Sequence, residues 1–220
     1  MSQAAVILKE PIDVRNRLAE LGLEEEDLRF AVQRGAAAAA ECTDNHPIQA
    51  PGFYRWSEAI AAKRERLLPK GWERFNDGGL PFTVDPTGTI AITVAAGDEF
   101  TGCPDKNPST KSSKGPRTFH AVEDNSQLPL LFDGVPIRPE HLTSSHGRMT
   151  WLLLAYPHYG SREIKSELSR PVRMGEDNRV QGWAERIILS SIPFDGDVLS
   201  VPVDNAPKTP ELDVPIRRRA

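Results

Sequence analysis

Prolines punctuate this chain more densely than any other feature: there are 19 in 220 residues, against an average usage of roughly 5%. Each one fixes φ and removes a backbone donor, so it interrupts a helix interior or the rungs of a central strand. Long bundles and coiled coils are disfavoured, and short helices and strands joined by many loops are expected, the α+β class. The hydrophobic fraction of 39% supplies enough side chains for one packed core. No apolar run reaches the roughly 20 residues of a membrane span. The run before Lys9 is too short for a secretory leader. The expected location is the cytoplasm.

The apolar spacing changes once along the chain. Asp13 opens a helix carrying Val14, Leu18 and Leu21, with Gly22 as its stop. A second helix begins at Glu24–Asp27, with acids at the positive end of its dipole, and runs to the alanines at 36–40. After Pro51 a third carries Phe53, Trp56, Ile60 and Leu67 and ends at Pro69. From Leu80 the period becomes two. Phe82–Val84 and Thr89–Ala95 flank the turn sequence Asp85-Pro86-Thr87-Gly88, which predicts a hairpin. Phe119–Asn125 reads as a short helix, and Met149–Tyr156, Glu163–Val172 and Arg186–Ile192 as further strands. The expectation is an N-terminal helical layer, about 13–68, packed on a roughly five-stranded, mostly antiparallel sheet, about 80–192. Residues 1–195 form that single domain with an irregular insert at 103–148, and 196–220 form a flexible tail.

Most patterns that would carry chemistry fail on inspection. Gly97–Gly102 has phosphate-loop glycine spacing, but Cys103-Pro104 follow where lysine and a hydroxyl are needed. Cys42 and Cys103 are too few for a disulfide framework. With His46, His141 and His146, they lack the tight spacing of a zinc site, so neither metal nor cofactor is expected. A helix-turn-helix would present Glu24–Asp27 to phosphate, which repels them. Asp85, Asp98 and Glu99 surround the predicted hairpin; with Lys106 they could hold a divalent cation and activate water, a metal-dependent nuclease site. The second-strand signal of such sites, Glu-x-Lys, is missing at Glu99-Phe100-Thr101.

Two segments point to binding rather than catalysis. Lys106, Lys111, Lys114 and Arg117 sit among serines and threonines with Asp105 as the single acid. Ammonium groups neutralise phosphate and hydroxyls orient it, so this loop is a candidate nucleic-acid contact within a chain whose net charge is −4. The hexapeptide Gln127-Leu128-Pro129-Leu130-Leu131-Phe132 then presents a glutamine amide, leucines and an aromatic ring on a proline-stiffened, extended segment. It resembles the motif by which bacterial proteins bind the β sliding clamp of replication, matching its defined positions at Gln127, Leu128, Leu130 and Phe132. The resemblance covers six residues and implies a non-enzymatic bacterial or phage accessory protein of DNA metabolism, with the clamp as partner and DNA as a further contact. The alternatives are the metal-dependent nuclease and a regulatory protein-interaction module using the helical layer.

Overall fold

Helices come first in the folded chain, as the apolar spacing predicts. The computed structural model describes residues 5–131 and 148–194, with the backbone alone for 127–131. The expected tail, most of the expected insert, and with them Phe132, His141 and His146, lie outside the described residues. A short strand β1 (Val6–Leu8) precedes α1 (Pro11–Glu20), α2 (Glu25–Ala40) and α3 (Ala50–Leu67). Helix α1 starts two residues earlier than its predicted cap. Pro11 occupies the first turn, where its missing N–H costs nothing, and Asp13 lies within that turn instead of capping it. Leu18, Leu28, Ala31, Ala62 and Leu67 are completely buried on the shared face of this layer.

Gly35 marks where α2 crosses α3. A methyl group there would overlap the carbonyl oxygen of Arg55 and come within 3.0 Å of the Ala59 Cβ. Alanine improves helix propensity by about 1 kcal/mol, but overpacking at a tight crossing costs about 1–3 kcal/mol. Gly35→Ala is therefore expected to lower the thermal midpoint. A raised midpoint would mean that the two helices slide apart freely.

The remaining elements are β2 (Glu73–Asp77), β3 (Leu80–Val84), β4 (Ile90–Ala96), α4 (Pro116–Leu131), β5 (Met149–His158), β6 (Glu163–Met174), β7 (Val180–Ile188) and β8 (Ile192–Pro193). Among the described residues, eight strands form one sheet in the order β1-β7-β6-β5-β4-β3-β2, with β8 also pairing to β6. The sheet is larger than the expected five strands, and it is mixed. β1 runs parallel to β7, and β4 parallel to β5, through the crossover helix α4. The α+β class stands; the mostly antiparallel sheet does not. The expected hairpin forms as β3–β4, with Asp85 N–H donating to Ile90 O at 3.0 Å and Gly88 at φ +75°.

Strand alternation divides the core. Ile92, Val94, Trp151, Leu153, Leu168 and Ile187 face the three N-terminal helices. Ala95, Leu152, Leu154, Val180 and Trp183 face the other way, joined by Val122 of α4. Helix α4 extends well beyond the short helix expected at 119–125. Asn125 is completely buried: its amide donates to Thr150 O and Pro171 O, and its oxygen accepts from Thr150 N–H, each at 2.8 Å. This side chain bolts α4 to β5 and β6. Among the described residues, no helix is long and apolar enough to cross a membrane.

Candidate functional site

The segment 97–115, which includes the start of the insert expected to be irregular from residue 103, is a strut tied to the sheet on both sides. Lys111 N–H donates to Ala96 O at 2.9 Å, while Thr110 N–H donates to Val180 O at 3.2 Å and its hydroxyl accepts from Val180 N–H at 3.1 Å. The neighbouring residues Thr110 and Lys111 thus tie the start of β7 and the end of β4 to the same strut. Trp183 Nε1 donates to Pro108 O at 2.9 Å. Beneath the strut lies an ion pair that is almost wholly buried. Arg186 Nη2 and Nε reach the two Glu167 carboxylate oxygens at 2.6 and 3.0 Å. The same guanidinium donates to Lys106 O at 2.6 Å and Cys103 O at 3.1 Å, and Glu167 accepts from Gly102 N–H and the Ser169 hydroxyl. Every strong polar direction of the pair is spent on the strut and the sheet, so its role is to hold the loop in place.

The nuclease residues do not converge. Asp85 precedes β4 and Asp98 follows it, roughly 20 Å apart at about 3.3 Å per strand residue. Asp85 is consumed by its own turn: it accepts from Ile90 N–H at 2.6 Å, from Thr87 N–H at 3.1 Å and from the Thr87 hydroxyl. Asp98 accepts from Phe100 and Ser109 N–H groups at 3.1 and 2.9 Å, and burial raises its pKa. Glu99 and Lys106 are exposed. Among the described residues no three histidine, cysteine or acidic side chains are grouped to hold a metal ion.

The four cations of the loop also separate. Lys106 and Lys111 are exposed; Arg117 is exposed and pairs with Asp77 at 3.1 Å. Lys114 turns inward. Its backbone N–H donates to Asn178 O at 2.7 Å, and burial lowers its pKa below the ordinary lysine value. The hexapeptide residues Gln127, Leu128 and Leu130 fall in the last turn of α4, so their backbone is helical rather than extended. Their side chains, and Phe132 altogether, lie outside the described residues.

Lys114 lines a gap that strand reading missed. The β3–β4 ladder has rungs at Val84↔Ala91 and Thr83↔Ile92. Alternation turns the backbone groups of Ile90, Ile92 and then Val94 towards β3. Opposite Val94 in that register stands Pro81, which has no N–H to give. The β3–β4 ladder ends at Thr83↔Ile92, before Pro81 is reached, while the β2 ladder continues along the other edge of β3 through Asn76↔Pro81. A cavity of about 220 Å³ fills the parting. Trp56 and Leu80 line it, together with Leu152, Thr93, Thr118 and residues 94–96. Thr93 is 1% exposed, and among the described residues its hydroxyl has no hydrogen-bond partner. At the last rung beside the gap, Lys63 Nζ donates to Ile92 O at 2.5 Å. Lys63 is completely buried, and desolvation pushes its pKa well below the usual amine range. A proline opposite a strand position that needs a donor was the available signal for this opening.

No protein-family model, curated protein or solved structure matches the chain.

Proposed function

We propose that this is a non-enzymatic accessory protein of bacterial or phage DNA metabolism that docks on the replication sliding clamp through Gln127, Leu128, Leu130 and Phe132. The exposed Lys106 and Lys111 add a nucleic-acid contact. The observation that carries the reading is where α4 is fastened. Asn125, bound to the β5 and β6 backbones, fixes the helix two residues before the hexapeptide begins. Pro129 has no N–H to give to the Asn125 carbonyl, so the turn holding the hexapeptide lacks one helix bond. A segment anchored at its base and weakly held in its last turn converts to an extended peptide at low cost, and proline limits the entropy lost on capture.

Full-length protein passed over immobilised bacterial clamp is expected to bind at micromolar strength, as short motifs with few anchors do. The double substitution Gln127→Ala, Phe132→Ala abolishes retention while the far-ultraviolet spectrum and thermal midpoint stay as in wild type. Retention by that variant shows that these side chains do not hold the clamp, and loss together with the fold assigns them to the protein's own core; either ends the clamp reading.

A further inference from the structure

We propose that the gap between β3 and β4 is a binding site for a small organic carboxylate with an apolar body. This goes beyond clamp docking and rests on different residues. Lys114 lines the gap, and among the described residues no carboxylate or hydrogen-bond partner accompanies its ammonium group. The cause of its lowered pKa is burial alone, with no neighbouring charge contributing. A half-buried cation without a counter-ion is unfavourable until an anion arrives. A second unsatisfied group lies on the same wall: the Thr93 hydroxyl, buried and without a partner among the described residues. Val94 supplies a third feature: beyond the last rung at Thr83↔Ile92 its backbone N–H, a donor, turns towards the gap on the β3 side.

The chemistry of the ligand follows from what is present. One ammonium matches one negative charge, and a hydroxyl and a strand amide suit the oxygens of a carboxylate. A phosphate dianion would call for a second cation, and Arg117 is already paired with Asp77. The other walls are the indole of Trp56 and the side chains of Leu80 and Leu152, which favour an apolar and preferably flat body. The volume of about 220 Å³ lies below the roughly 300 Å³ at which drug-sized sites begin. The fitting class is therefore the size of an aromatic acid.

Sodium benzoate is the probe, with benzyl alcohol and inorganic phosphate as the neutral and purely anionic arms. Titrated into full-length protein and followed by amide and indole NMR shifts, benzoate is expected to saturate, moving the amides of residues 93–96 and the Trp56 indole together. Lys114→Met is expected to weaken it by about tenfold or more, the usual worth of a charge-assisted bond. Thr93→Val, nearly isosteric, is expected to weaken it less, in the same direction. Both variants should melt no earlier than wild type, since each removes an unpaired polar group. The proposal is overturned if benzoate fails to saturate, if Lys114→Met leaves its affinity unchanged, or if benzyl alcohol binds equally well. Saturable binding of phosphate at the same amides, lost in Lys114→Met, would replace the carboxylate assignment with a phosphate one.

Discussion

Arg186→Met lowers the free energy of unfolding by about 3–5 kcal/mol, the cost of leaving a buried carboxylate without its partner. Glu167 is 0% and Arg186 1% exposed at the side chain. Removing the guanidinium strands the Glu167 charge and also frees the Lys106 and Cys103 carbonyls that it held. The strut should loosen first, so amide exchange is expected to accelerate at Gly102 and across 106–110. The double variant Glu167→Leu, Arg186→Met is expected to recover most of the loss, since apolar replacement of both partners is often neutral. Urea denaturation of the three proteins checks this. A single variant within about 1 kcal/mol of wild type would show that the pair does not hold the loop.

Lys63→Met acts in the opposite direction and stabilises the protein at neutral pH by about 1–3 kcal/mol. The amine is completely buried beside Ile92 O, and no acid among the described residues neutralises it. Its folded pKa is depressed below the ordinary 10.5, so the unfolded chain binds the proton more strongly than the folded one. Stability contributed by this group is lowest below the folded pKa and rises with pH towards 10.5. Methionine removes that slope. The stability advantage of Lys63→Met should therefore shrink as pH is raised through the alkaline range, which paired unfolding curves would show. A constant difference at every pH would mean that the amine keeps an ordinary pKa.

The parts of this fold written in local pattern were legible before folding was considered. Leu18, Leu28 and Ile60 lie on the faces their spacing predicts, and Asp85–Gly88 makes the hairpin turn its residues encode. Short polar strands were not. Glu73–Asp77 has no alternating apolar signal and becomes β2 because β3 is there to pair with it. Glu167 was misleading in a more instructive way. Glu163, Lys165, Glu167 and Ser169 alternate with Ile164, Ser166 and Leu168, a pattern that reads as one buried and one wet face. The wet face is covered at Glu167 by a segment some 65 residues earlier in the chain, and no local period carries that information. The same limit hid Lys114. In the sequence it is one of four loop cations; only the parting of β3 from β4 gives it a cavity to line.

The pairing of Val6 with Glu185 through the β1–β7 ladder sets a timetable for the chain on the ribosome. At about 5–20 residues per second, roughly 10–35 s separate the emergence of β1 from that of its partner. Arg17 of α1 waits the same interval for Glu185, its 2.6 Å ion-pair partner. Helices α1–α3 emerge together and can coalesce at once through local contacts, but the face they turn towards Trp151, Leu153 and Leu168 has nothing to cover it until those strands arrive. For most of its synthesis the nascent chain carries a three-helix layer whose apolar side stays partly open until its last long strand closes the sheet, the kind of surface that makes a slowly completed fold prone to association.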